Sequence, residues 1–232
     1  MKFRQLHNWD VDYKTAVAIQ ADLRGKLVLR DDGPGDIRVV AGADISCSKG
    51  DDRVYAAVVL LDFATLDVVG EASYCGRVSF PYIPGLLTFR EGPALLCAFE
   101  KLRTQPDMVL FDGQGIAHPR AFGLAAHMGL ILDLPAVGCA KTRLIGTFEE
   151  PGVRKGQCSP LMHDGKQIGS VLRTKDRVKP VFVSQGHRVS LESAVDVVLR
   201  CARRYRIPEP VRRAHILVNK LRQEAAQKGT RD

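Results

Sequence analysis

Apolar residues along the chain fall into helical stripes and short strand-like runs. Over residues 11–31, Tyr13, Ala16, Val17, Ile19, Leu23 and Leu27 recur at helical spacing, and Gly25 weakens the pattern near its end. Asp31-Asp32-Gly33-Pro34-Gly35-Asp36 then breaks the chain. Three strand-like runs follow at 38–46, 54–62 and 66–78. The intervening Lys49-Gly50-Asp51-Asp52 and Phe63-Ala64-Thr65 are short enough for antiparallel turns. Phe80-Pro81-Tyr82-Ile83-Pro84-Gly85 excludes regular structure, having two prolines three apart and a closing glycine. Residues 90–104 predict a helix, with Pro93 in its first turn, Glu91 at its start, and Leu95, Leu96, Phe99 and Leu102 on its apolar face.

Residues 107–111 read as a short buried strand that runs into Asp112-Gly113-Gln114-Gly115. A helix is predicted over 121–132 and a parallel-type strand over 136–140, followed by Lys141. Residues 146–166, rich in Gly, Pro and charge, predict a loop or a hairpin arm. Strands at 167–172 and 180–184 flank a basic turn. Ser190 is placed to cap a helix running to Arg204, and a last helix covers 209–228. The order predicts an α/β fold. A mixed sheet of three antiparallel strands plus parallel strands is flanked by helices, all in a single domain spanning 1–232.

The composition narrows the class. A hydrophobic fraction of 45% and mean hydropathy of -0.08 are those of a globular protein. No run reaches the ~18 apolar residues of a membrane span, and the polar first ten residues carry no signal-like stretch. No two of the six cysteines are spaced as Cys-x-x-Cys, which argues against zinc and against a disulfide framework. A cytoplasmic chain with reduced thiols and no membrane partner is expected. The net charge of +8 is unevenly spread. Residues 1–140 hold 14 Lys+Arg against 17 Asp+Glu, whereas residues 141–232 hold 20 against 9. A basic C-terminal half suggests a polyanion partner such as nucleic acid, the alternative being a solvated surface.

Candidate chemistry centres on carboxylates. Asp44 falls near the end of the first strand, Glu91 at a helix start and Asp112 at the end of the fourth strand. Either they converge on a hard cation such as Mg²⁺, which favours oxygen ligands, or they are three separate caps and turns. Lys141 is placed to hold a phosphate or to be solvated. His118 and Arg120 close the Asp112 turn, where they would orient the loop or touch a phosphate. Arg203, Arg204, Arg206, Arg212 and Arg213 cluster near the last helix, as phosphate-tracking residues would.

Six segments carry a resemblance. They are Gly42-Ala43-Asp44-Ile45-Ser46, the stretch from Phe80-Pro81-Tyr82-Ile83-Pro84-Gly85 to Ala94, Phe111-Asp112-Gly113-Gln114-Gly115-Ile116-Ala117-His118-Pro119-Arg120, Ala136-Val137-Gly138-Cys139-Ala140-Lys141, Gly186-His187-Arg188-Val189-Ser190 and Tyr205-Arg206-Ile207-Pro208-Glu209-Pro210. Together they resemble the endonuclease V family over about residues 10 to 222. The resemblance implies a ribonuclease H-like fold and an enzyme of DNA repair that recognises deoxyinosine, the deamination product of adenine. Such an enzyme hydrolyses the second phosphodiester bond 3′ to the lesion and leaves 3′-hydroxyl and 5′-phosphate ends. It implies a Mg²⁺ site at Asp44, Glu91 and Asp112, with Mn²⁺ as a substitute. His215 would join the catalytic group, where some members carry Asp. Lys141 would complete it. Tyr82 would be a wedge, and Gly85, Leu87, Gly113 and Gly138 would lie near the flipped hypoxanthine. Inosine-containing DNA, acted on by a monomer, is the implied partner. Inosine-containing RNA and a non-catalytic nucleic-acid-binding protein are the alternatives.

Overall fold

Alternate residues of one short strand, β4 (Met108–Phe111), pack into two different cores. Val109 and Phe111 join Leu95, Phe99, Met128 and Ile131. Met108 and Leu110 join Val197, Val198, Val211 and Ala214 on the opposite face. All four are buried, which is why the run is continuously apolar rather than alternating. The structure is a computed structural model that describes residues 1, 3–33, 35–47 and 52–228.

The remaining strands are β1 (Val39–Cys47), β2 (Arg53–Asp62), β3 (Val68–Arg77), β5 (Ala136–Ala140), β6 (Cys158–His163), β7 (Lys166–Leu172) and β8 (Val181–His187). They form one sheet in the order β3-β2-β1-β4-β5-β8-β7-β6. β1, β2 and β3 pair antiparallel, β4 lies parallel to β1 and β5, and the rest of the sheet is antiparallel. Helices α2 (Leu87–Glu100) and α3 (Leu124–Leu132) cover one face, while α4 (Leu191–Cys201) and α5 (Glu209–Lys228) cover the other. Helix α1 (Tyr13–Arg24) packs beside the 80–89 segment and α3. Among the described residues no helix is long and apolar enough to cross a membrane, and the six cysteines form no disulfide.

Several boundaries differ from the pattern in the sequence. α1 ends at Arg24 because Gly25 caps it. α2 starts three residues early, since Phe89 and Leu86 already pack with Phe80 and Ala16. Glu91 therefore lies one turn inside the helix, and Pro93 is internal rather than in the first turn. α3 starts at Leu124, because Ala121 has φ 50, in the left-handed region that no helix contains. The 146–166 region contains β6, joined to β7 through Asp164 and Gly165 at φ 49 and 73, the pattern of a type I′ hairpin turn. Asp44 is the sixth of the nine residues of β1, not its end. Pro34 and Lys49 to Asp51 of the predicted turns lie outside the described residues.

α5 crosses β1 closely at Gly42. A Cβ there would stand 2.0 Å from the backbone of Pro210. Gly42→Ala is therefore expected to destabilise the protein by about 3 kcal/mol, as backbone overpacking does. Urea denaturation monitored by circular dichroism checks it. A loss below about 1 kcal/mol would contradict the close approach.

Candidate active site

The parallel register of β1 and β4 pairs Ala43 with Phe111. The next residue on each strand is an aspartate, so Asp44 and Asp112 are set side by side, and the Asp112 amide donates to the Ala43 carbonyl at 3.2 Å. α5 brings His215 over the same end. Its Nδ1 lies 2.7 Å from Asp44 Oδ2, and Asn219, one turn on, donates Nδ2 to His215 Nε2 at 3.0 Å. That arrangement places the ring proton on Nδ1, facing the carboxylate. Donor atoms of Asp44, Asp112 and His215 all lie within 4.8 Å of one another. Glu91 is outside that group but adjoins it from α2, near enough for both aspartates to act on its charge.

The electrostatics are those of crowded acids. Burial and the Asp112 charge raise the Asp44 carboxyl above the ordinary carboxylate range, against the His215 hydrogen bond. Burial first, then Asp44, raises Glu91 to about 7. Lys141 pairs with Asp112 through Nζ, so it is neither free nor simply solvated. Oxygen donors that repel one another in a half-buried corner suit a hard divalent cation, which would relieve the repulsion.

A cavity of ≈370 Å³ opens beside these acids, within the range of small-ligand sites. Tyr82, Gly85, Leu87, Glu91, Asp112, Gly113, His118 and Lys141 all line it. Tyr82 is 68% exposed at its rim. Gly138 does not line the cavity. It lies in β5 beneath the Asp112 turn, where a Cβ would stand 2.4 Å from the Gly115 nitrogen. Its absence of a side chain lets the turn settle on the sheet. Arg120 is likewise set back, donating Nη2 to the Gly85 carbonyl at 2.6 Å. His118 is buried, and burial and Arg120 lower it to about 4. Its Nδ1 accepts from the Arg120 amide at 3.2 Å, within the same loop.

The basic C-terminal residues are mostly engaged within the protein. Arg203 donates to the carbonyls of Ala64 and Thr65, and Arg212 pairs with Glu209 and stacks on Tyr205. Arg213 reaches the same Glu209. Arg206 donates to the carbonyls of Lys141 at 2.6 Å and Pro180 at 2.8 Å. It braces the lysine that meets Asp112, a role the arginine cluster in the sequence conceals. His187 is buried and its Nδ1 accepts from the Val28 amide. Gln20 is a further residue missed by the sequence reading, detectable only as a polar residue on the apolar stripe of α1. Its Nε2 donates to the carbonyls of Gly85 and Phe122.

The family model for endonuclease V matches residues 21–216. Endonuclease V of Methanothrix thermoacetophila is 50% identical over 217 residues, covering 94% of this chain and 95% of the relative. The crystal structure of endonuclease V from Streptomyces avermitilis is similar with a TM-score of 0.90 at 45% identity, covering 94% and 96% of the two chains. That of Ciona intestinalis endonuclease V, in complex with a 24mer DNA containing an inosine followed by a ribo-adenosine, has a TM-score of 0.79 at 28% identity, covering 92% and 100%.

The raised Glu91 carboxyl has a consequence for stability. Between the ordinary value of 4.5 and about 7, the folded protein binds this proton more tightly than the unfolded chain does. Stability of the metal-free protein therefore falls as pH rises through that window. Glu91→Gln removes the penalty. In EDTA the variant should be more stable than the parent above about pH 7.5, by up to about 3 kcal/mol, and equal to it below about pH 4. Equal denaturation midpoints at both pH values would refute the assignment.

Proposed function

This chain belongs to the endonuclease V family, whose members are nucleases, and on that premise we propose that it is a Mg²⁺-dependent DNA repair enzyme acting at deoxyinosine. It hydrolyses the second phosphodiester bond 3′ to the lesion and leaves 3′-hydroxyl and 5′-phosphate ends. The observation that carries the reading is an adjacency. Asp112 of the acidic group and Gly113 of the cavity wall are consecutive residues, so the cutting centre and a base-sized pocket share one turn.

Asp44, Asp112 and Glu91 would hold the metal, with Mn²⁺ as a substitute, and His215 would fix Asp44 through Nδ1. When bound, the ion polarises the phosphate and lowers the pKa of a water nucleophile. Lys141 keeps its ammonium at Asp112, where it can also meet a phosphate oxygen. Tyr82 stands exposed between Pro81 and Pro84, which limit the freedom lost when the ring enters a base stack. A flipped hypoxanthine fits the cavity against Leu87 and Gly113. The Gly85 carbonyl already accepts from Arg120 and Gln20, so recognition at Gly85 falls to its N–H. His118 and Arg120 keep that loop in place. All these groups come from one copy of the chain, which supports action as a monomer.

A second reading, cleavage at inosine in RNA, is favoured by one observation. The Ciona relative was crystallised with inosine followed by a ribonucleotide.

Nicking of duplex DNA and single-stranded RNA, each with one inosine, tests both readings in Mg²⁺, Mn²⁺ and EDTA. Activity is expected only with metal. Asp112→Asn should lower it more than about 100-fold, a loss that even partners of metal ligands can produce. Equal cutting of undamaged DNA, or unimpaired nicking by Asp112→Asn, would overturn the proposal. Tyr82→Ala should reduce the preference for inosine over undamaged duplex about tenfold with an unchanged melting temperature, because the ring is exposed and packs little. An unaltered preference would remove the wedge role.

A further inference from the structure

Gln20 is a polar residue at a buried position of α1. Its neighbours on the buried stripe are Ala16 and Leu23, and Gln20 itself is 1% exposed. A buried amide is tolerated only when its donors and acceptor find partners. Those of Gln20 do. Nε2 donates to the carbonyls of Gly85 at 3.0 Å and Phe122 at 3.2 Å, and Oε1 accepts from Arg120 Nε. The orientation is fixed by its partners. A flipped amide would set its oxygen against two carbonyls and its NH2 against a guanidinium.

The partners belong to two segments far apart in sequence. Gly85 closes the loop that carries Tyr82, and Arg120 and Phe122 follow the Asp112 turn. Arg120 also donates to the Gly85 carbonyl, so that one oxygen holds both segments. Gly85 sits at φ 80, and a Cβ there would stand 2.6 Å from Arg120 Nη2, which ties this geometry to glycine. The other end of the loop is held from α2, where Arg90 donates Nη1 to the Phe80 carbonyl at 2.7 Å. The Tyr82 loop is thus held at both ends by side chains while its tip stands in solvent.

We propose that Gln20 is a positioning residue for lesion recognition. It sets the Tyr82 loop against the Asp112 turn, and so fixes the mouth of the cavity, without touching nucleic acid. The inference rests on the reading of Tyr82 and the cavity as the lesion site. Its physical basis is preorganisation. A loop already held in the bound geometry loses less entropy on binding, so loosening it weakens recognition before it affects bond cleavage.

Two variants test it. Gln20→Met keeps the length and removes all three hydrogen bonds. Gln20→Glu keeps an acceptor for Arg120 and turns a carboxylate toward two carbonyls. In the DNA-free protein, hydrogen exchange of the amides in residues 80–86 should accelerate at least about tenfold in both variants, with α2 beyond Gly92 and β4 unchanged. On inosine duplex, KM should rise about tenfold and the preference over undamaged DNA should fall, while kcat stays within about twofold. Mn²⁺ binding at the acidic group, followed by electron paramagnetic resonance, should not change. Combining Gln20→Met with Tyr82→Ala should cost no more preference than Tyr82→Ala alone, because Gln20 acts through that loop. Unchanged exchange in residues 80–86 overturns the inference, as does a parallel loss of kcat, Mn²⁺ binding and melting temperature. A wild-type protein that leaves inosine DNA intact sinks the functional reading instead, and the exchange measurement still decides whether Gln20 holds the loop.

Discussion

The site depends on one pairing, the parallel ladder between β1 and β4. Because Ala43 faces Phe111, the following residues of both strands emerge as neighbouring carboxylates. Two adjacent strands lie about 4.8 Å apart, so the sheet itself enforces a repulsion that side chains could otherwise relax. The rest of the site answers that repulsion. His215 meets Asp44, Lys141 meets Asp112, and Glu91 holds a proton more readily than an isolated glutamate does. A register slip of one residue would turn one carboxylate to the opposite face and dissolve the group. Such a slip would also exchange Val109 and Phe111 with Met108 and Leu110 between the two cores, so both would have to repack.

Much of this was legible in the sequence, for reasons that can be named. β4 is short, continuously apolar and followed by Asp-Gly, so both its burial and the turn after it could be read. The mixed sheet with helices on both faces followed from element order, and the ribonuclease H-like architecture from the resemblance to the family. β6 was harder to place because it is an edge strand with one buried residue, Leu161, and contains Pro160. Its period-2 signal is nearly absent, and proline is compatible with an edge. The helical stripe in the sequence starts at Glu91 because Leu86 and Phe89 face a separate local core with Ala16 of α1, off the main apolar face.

What the sequence could not convey was the use made of charge. A run of arginines near a basic terminus looks like a phosphate-binding surface. In the fold, Arg212 pairs with Glu209 one turn away, and Arg203 and Arg206 are engaged by carbonyls that only long-range contacts reveal. Gly138 posed a similar difficulty. Its lack of a side chain serves the close approach of two backbone segments, which sequence alone cannot distinguish from approach to a ligand.

The closeness of α5 to β1 also orders events in time. Asp44 and Asp112 lie in the first half of the chain, whereas the imidazole between Asp44 and solvent belongs to residue 215. Synthesis runs from the amino end, so a growing chain can assemble β1 and β4 well before α5 exists. Until then the groove at Gly42 is open and the acidic pair lacks its histidine. A chain arrested before α5 would carry Asp44, Glu91, Asp112 and Lys141 but lack His215. The last long helix is therefore both the lid on one face of the sheet and the step that completes the site.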